Sequence, residues 1–419
     1  MFRSRPCRER GQVERGQANG DSLTPLAISD FSVVTSMAAG RSASIAALRQ
    51  GASGLAPCAF ENLPFPTYTG EVRGLEDWRL TGELAGFDCR NNRLALMALQ
   101  QDDFLHAVAE ARARYGAGRI GVFAGTSTSG LLQTEMAYRD RNAVTGALPP
   151  DFDYARTHNT YSLARFVRAV CRLHGPAFVV STACAATAKV FASAARMIEA
   201  GICDAALVGG ADTLCATTLF GFQSLGVMAA GPCRPFDAAR DGISIGEAAG
   251  FALLERRAPR HGGATVFLLG AGESADAYHM SSPHPEGLGA RLAMQRALDA
   301  AGLDPGQIDY VNLHGTATLA GDAAEDRAVS GLFGALVPCS STKGFTGHTL
   351  GASGVVEAAF CMLAIAHGFL PGSPHTGAVD PAFACGYARA GRAARLVRVM
   401  SNSFGFGGAN CSLVFGRLA

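Results

Sequence analysis

Phe178-Val179-Val180-Ser181-Thr182-Ala183-Cys184-Ala185-Ala186-Thr187-Ala188-Lys189 decides the fold. The first three residues are an apolar run that reads as a buried strand. Past the cysteine the period changes. At about 100° per residue, Val190, Phe191, Ala194, Met197 and Ile198 share one face, and Lys189, Arg196 and Glu199 the other. Gly201 follows where a helix wants a left-handed residue. Cys184 therefore sits where a strand turns into a helix. Free backbone N–H groups and the helix dipole there favour thiolate over thiol. Small neighbours (Ala183, Ala185, Ala186) leave room for a substrate, so Cys184 is a candidate nucleophile.

Composition frames this site. The 419 residues are 48% hydrophobic and 17% charged, enough for a large core or two fused domains. A net charge of +1 gives no argument for nucleic acid or a membrane surface. No apolar stretch reads as a membrane span of about 18 residues or more. The 12 cysteines form no CxxC pair and lie mostly in apolar runs. That pattern predicts free thiols in a reducing, cytoplasmic compartment, and no zinc site. His279 and His284 lie on a loop made rigid by Pro283 and Pro285, with no third metal ligand near them in sequence. Of 36 basic residues only two, Lys189 and Lys343, are lysine, which marks Lys343 as a place for a compact ammonium.

Residues 1–22 read as a polar, disordered extension. Beyond them short apolar strands, at 120–124, 178–180, 205–209, 310–313, 336–339, 396–400 and 412–415, alternate with helical segments, which implies α/β layers. A soft stretch at 256–263 divides the chain into halves at 23–258 and 259–419. Each half runs from a strand through small residues into a helix, and a later strand ends near Gly-Gly-Ala. If this is a duplication, Cys184 and His348 converge at the pseudo-twofold axis.

Three further segments stand out. They are Asn312-Leu313-His314-Gly315-Thr316-Ala317-Thr318, Ser341-Thr342-Lys343-Gly344-Phe345-Thr346-Gly347-His348-Thr349-Leu350-Gly351-Ala352-Ser353-Gly354, and Ser401-Asn402-Ser403-Phe404-Gly405-Phe406-Gly407-Gly408-Ala409-Asn410. With the cysteine segment they closely resemble the elongating β-ketoacyl-acyl-carrier-protein synthases of the thiolase superfamily, from about residue 26 to the C-terminus. The resemblance implies a five-layered α/β/α/β/α thiolase fold and decarboxylative Claisen condensation of an acyl thioester with malonyl-ACP, in type II fatty acid or specialised polyketide synthesis. It implies a Cys184-His314-His348 site with Lys343, supported by Glu357 or Glu325. It places the oxyanion hole at the backbone N–H groups of Cys184 and Phe406, with Phe404 and Phe406 in a Gly-rich gate. Thr316 and Thr318 would hold the phosphopantetheine arm of an acyl carrier protein, the chain binding no cofactor of its own. Thr128 would reach the acyl-pocket floor across a dimer interface, and Phe222 would line that pocket. Thr128 stands where the fatty-acid enzymes carry an aliphatic residue or glycine, which points to a specialised chain such as a polyene or an aryl-primed one. The partners implied are a carrier protein, received at a basic patch for which Arg73, Arg139 and Arg141 are candidates, and either a second copy or a chain-length-factor-like subunit. Thiolases, with a second cysteine near the C-terminal glycine loop, and initiating Cys-His-Asn enzymes fit less well.

Overall fold

The computed structural model describes residues 22–256 and 266–418. The expected extension, apart from residue 22, and the boundary at 258/259 lie outside the described residues.

Eleven strands build one sheet. In chain order they are β1 Leu26–Thr35, β2 Ile120–Gly125, β3 Ala177–Val180, β4 Ala205–Asp212, β5 Ala248–Glu255, β6 Val266–Ala275, β7 Tyr310–Asn312, β8 Pro338–Ser340, β9 Gly386–Tyr387, β10 Arg398–Phe404 and β11 Ala409–Gly416. Their spatial order is β9-β8-β7-β10-β11-β6-β1-β5-β4-β2-β3. The pairing β1–β5–β4–β2–β3 runs antiparallel, antiparallel, parallel, parallel. The pairing β6–β11–β10–β7–β8 repeats that pattern. The two sets join where Leu26 and Ile28 of β1 pair with Leu268 and Val266 of β6. The duplication expected from the sequence is thus a topological repeat.

The helices that matter are α1 Arg90–Leu99, α2 Phe104–Tyr115, α3 Tyr161–Cys171, α4 Ala186–Glu199, α5 Leu288–Ala301, α6 Leu319–Phe333 and α7 Ser353–His367. Three apolar clusters define the layers. One packs α1, α2 and α3 on the outer face of the first half-sheet. A second packs α5 and α6 on the outer face of the other. The third lies between them, with Ala188, Val190, Phe191 and Ile198 of α4 against Val355, Ala359 and Phe360 of α7. This is the five-layered α/β/α/β/α arrangement.

Sheets covered by helices on both faces need continuous apolar strands. β4 and β5 are buried at every residue. The sequence reading misses β1, β5 and β6, which form the centre of the sheet. Asp30 interrupts β1, and β5 opens Ala-Ala-Gly, residues with little intrinsic strand preference. Their pairing comes from tertiary packing.

The helix Leu350–His367 corrects one expectation. It is long and apolar enough to cross a membrane, but 89% of it is buried inside the fold. It is the central layer of the protein. Among the described residues no other helix meets that test.

The two central helices fix the site. α4 and α7 each follow an edge-side strand of their half, β3 and β8. A Cβ on Gly354 would lie 2.4 Å from the backbone nitrogen of Ala188, so only glycine permits this crossing. Thr187 Oγ1 donates to Gly351 O at 2.6 Å and accepts from Val355 N at 3.0 Å. Asp212, at the end of β4, accepts from Thr126 Oγ1, from the N–H groups of Ser127 and Thr128, and from Ala352 N. These bonds tie the nucleophile turn to the His348 loop.

Candidate active site

Cys184 lies two residues before α4, after Ala183, whose φ of +48° is a left-handed conformation costly for a residue with a Cβ. This sharp turn lifts the sulfur out of the strand line. His348 Nε2 is 2.9 Å from Cys184 Sγ, across 164 positions of sequence. The His314 and His348 rings stand nearly perpendicular, at 87°, with centroids 5.4 Å apart. The expected convergence of Cys184, His314 and His348 is present.

Each histidine is held from behind. Lys343 Nζ donates to His314 O at 2.6 Å and lies 3.4 Å from its Nδ1. His348 Nδ1 is 3.0 Å from Ser353 Oγ. Lys343 forms a buried ion pair with Glu357. Glu325 instead accepts the backbone N–H groups of His314 and Gly315, at 2.8 and 2.7 Å. The two carboxylates therefore divide the supporting role: Glu357 balances the lysine, and Glu325 holds the His314 turn. Asn402 Nδ2 also reaches Glu325, at 3.3 Å, and Ser412 Oγ bonds Asn402 Oδ1 at 2.8 Å.

The electrostatics suit neutral imidazoles. Burial, then the Lys343 charge, hold both histidines well below their ordinary range. The thiol departs from expectation. Burial pushes Cys184 up to about 11, although the backbone N–H groups of Phe406 and Cys184 and the Lys343 charge all pull it down. Desolvation outweighs the helix end, so near neutral pH a thiol faces a neutral imidazole.

One cavity of about 290 Å³ holds the triad. Its wall includes Cys184, His314, His348, Thr316, Thr318, Phe222, Phe404 and Phe406. Ser281, Pro283 and Leu319 also line it, with Val227 and Ile243. Phe222 and Phe406 have ring centroids 5.6 Å apart. Phe404 lies 6.0 Å from the His314 ring. Gly407, at φ +81°, supplies a left-handed step beside Phe406. Thr316 and Thr318 hydroxyls bond each other at 3.0 Å.

Thr128 is not brought into this cavity. It is buried, and its hydroxyl donates to Asp212 Oδ1 at 2.7 Å while accepting Thr213 N at 3.2 Å. Its polarity is used inside the loop. Arg73, Arg139 and Arg141 are exposed and line none of the cavity, and Arg139 pairs with Glu61 at 2.8 Å. Cys411, the residue a thiolase reading needs, is buried in β11 away from the cavity wall. His279 and His284 do not join a metal-like cluster. Among the described residues the one donor set tight enough for an ion is the triad itself, within 4.8 Å. Sequence reasoning missed Asp212, Thr187 and Ser353 as site supports. Asp212 ends the Gly-Gly-Ala-Asp run, and Ser353 lies in the quoted histidine segment, but neither has chemistry that spacing alone can flag.

Residues 24–259 match the β-ketoacyl synthase N-terminal domain and residues 266–377 the β-ketoacyl synthase C-terminal domain. The chain is 34% identical over 376 residues to 3-oxoacyl-[acyl-carrier-protein] synthase 2 of Vibrio cholerae, covering 81% of this chain and 88% of that one. It is 43% identical over 259 residues to the mitochondrial 3-oxoacyl-[acyl-carrier-protein] synthase of Arabidopsis thaliana, covering 58% of this chain and 56% of that protein. Among solved structures, a ketosynthase of Xenorhabdus doucetiae in complex with its chain length factor superposes with a TM-score of 0.85 at 37% identity, covering 94% of this chain and 98% of that one. A β-ketoacyl synthase from Burkholderia phymatum gives a TM-score of 0.82 at 29% identity, covering 95% and 100%. With its thiolase-like layers and its Cys-His-His site, the chain belongs to the β-ketoacyl synthase family, the C–C bond-forming acyltransferases that make 3-oxoacyl-ACP.

Proposed function

We propose that this chain is the active condensing subunit of a type II system, with Cys184 carrying the growing acyl group. The observation that carries the reading is the 2.9 Å contact between Cys184 Sγ and His348 Nε2, with His314 beside it in one cavity. An acyl thioester on a phosphopantetheine arm enters past Thr316 and Thr318. The Cys184 sulfur attacks the acyl carbonyl carbon, with His348 Nε2–H beside it, and the thiol proton passes to the departing sulfur of the arm. The C–S bond to the arm breaks and the arm leaves as a thiol. Covalent capture splits one difficult step into two.

Malonyl-ACP then takes the arm's place. Its C–CO₂ bond breaks, CO₂ leaves, and the electron pair forms an enolate. His314 and His348 donate N–H bonds to the enolate oxygen as charge appears there. The enolate carbon attacks the acyl-Cys carbonyl, whose oxyanion accepts the N–H groups of Cys184 and Phe406. That attack forms the new C–C bond, and collapse of the intermediate breaks the C–S bond to Cys184 and releases its thiolate, which takes up a proton from solvent. Phe406, its ring tilted at 55° to that of Phe222 and flanked by glycine, gates the acyl pocket.

The partner is an acyl carrier protein, and the second subunit is a chain-length-factor-like protein of the same fold. The exposed edge of β3, half-buried along its length, offers unpaired backbone groups at the end of the sheet. On the same half of the chain, Met136 and Tyr138 (each 54% exposed) and Val144 (94% exposed) present apolar surface. The solved ketosynthase at 37% identity is itself in complex with a chain length factor. The free thiols suit a reducing, cytoplasmic setting.

Reconstitution tests this. The chain alone and the chain co-expressed with such a subunit are each given acyl-ACP and malonyl-ACP. The expected result is β-ketoacyl-ACP with one CO₂ per condensation, at a rate raised at least tenfold by the partner. A stable homodimer by sedimentation, condensing equally fast alone, would remove the heterodimer. Carbon–carbon bond formation without CO₂ release would remove the condensing reading.

A further inference from the structure

His348 must present an N–H to the enolate oxygen, so the proton has to sit on Nε2. Which imidazole nitrogen is protonated is set by the hydrogen bond the other nitrogen makes. For His314 the partner is a pure donor: the Lys343 ammonium lies 3.4 Å from Nδ1 and leaves that nitrogen a lone pair. For His348 the partner is Ser353 Oγ, 3.0 Å from Nδ1. Ser353 is the first residue of α7 and is only 1% exposed. Its hydroxyl has one further neighbour, Thr349 Oγ1, at 3.3 Å. The shorter contact, to nitrogen, takes the Ser353 proton, and Thr349 can donate to Ser353 in turn.

We propose that Ser353 is a positioning residue for the condensation: its hydroxyl donates to His348 Nδ1 and so holds the ring in the Nε2–H tautomer. The two histidines are then prepared alike, one by an ammonium and one by a hydroxyl. α7 anchors the serine, and the Thr187 bonds to Gly351 and Val355 bracket it, so the donor cannot drift from the ring. The effect falls most on the malonyl half-reaction. There His348 acts as a donor with the sulfur already acylated. Capture of the acyl group needs only that Nε2 lie beside the thiol.

The inference rests on the reading of His348 as an enolate donor, and its test separates the two. Ser353→Ala removes the hydroxyl, and Ser353→Thr keeps it. Full-length protein of each form is assayed with acyl-ACP and malonyl-ACP, and Cys184 acylation is followed separately by intact mass. Removing the bond that fixes the tautomer of a metal-ligating histidine costs about tenfold to a hundredfold, and a loss of that order is expected here. Ser353→Ala is expected to lower condensation kcat by that factor, with malonyl-ACP KM and the Cys184 acylation rate within about threefold of wild type. Ser353→Thr is expected to restore most of kcat. In ¹⁵N-histidine spectra, the His348 signal, identified by its loss in His348→Gln, is expected to show a protonated Nε2 in wild type and a mixture of tautomers in Ser353→Ala. Wild-type kcat in Ser353→Ala, an equal fall in acylation and condensation, or equal damage in both variants would each overturn the proposal. Failure of the wild type to release CO₂ would overturn the underlying reading, and the proposal with it.

Discussion

Replacing His314 with alanine is expected to lower condensation kcat about 10²–10³-fold while leaving Cys184 acylation close to wild type. Removing one preorganised donor from a developing oxyanion costs about 2.7–4 kcal/mol. The His314 ring stands beside His348 in the cavity, and the hydrogen bond to Cys184 Sγ comes from His348. Its backbone is held independently by Glu325, so the turn survives the substitution. His348→Ala should behave differently. It removes both the partner of the thiol and the second enolate donor, so acylation and condensation fall together. Parallel rates from intact-mass acylation and CO₂ release distinguish the two. If His314→Ala slowed acylation as much as condensation, the division of labour between the histidines would be wrong.

Lys343→Met is expected to cost the fold about 3–5 kcal/mol, the usual result of removing one partner from a buried ion pair. Lys343 and Glu357 have side chains only 2% and 3% exposed. Glu357 is already pushed up to about 7 by burial, against an unperturbed 4.5, with Lys343 pulling it down. Without the lysine its carboxyl rises further and takes a proton, which keeps the cost at the lower end. The sign of the pH dependence follows. In the variant the folded state holds a proton that the unfolded state releases above about 4.5. Its stability therefore falls as pH rises from there toward the folded value. Adding Glu357→Gln removes the carboxyl and should recover most of the stability. It should not recover kcat, because the donor to His314 O and Nδ1 is still missing. Denaturation of wild type, Lys343→Met and the double variant at pH 5 and pH 8, with kcat for each, checks both statements. Restored activity in the double variant would show that Lys343 acts only through the fold.

The strand-cysteine-helix reading located the nucleophile, and its repeat in the second half located the partner, because a duplicated topology brings equivalent helix ends together. Gly201 at φ +69° closes the first helix as its position predicted. What the chain's pattern could not show was the outcome of competing effects. The helix end at Cys184 argues for a thiolate, yet complete burial outweighs it. Burial is a property of the assembled layers, and no local pattern reports it. Thr128 illustrates the same limit, since its hydroxyl is taken by Asp212, a residue 84 positions away. Asp212 and Ser353 are ordinary residue types whose importance comes from the single atom each one touches.

The most direct test of the central claim is the intact mass of wild type and Cys184→Ala after mixing with acyl-ACP thioesters of graded length. The account predicts a gain equal to the acyl group in wild type, absent in Cys184→Ala, with the best-captured chain reporting the pocket's preference. An acyl adduct that persists in folded Cys184→Ala would place the nucleophile elsewhere and contradict the account.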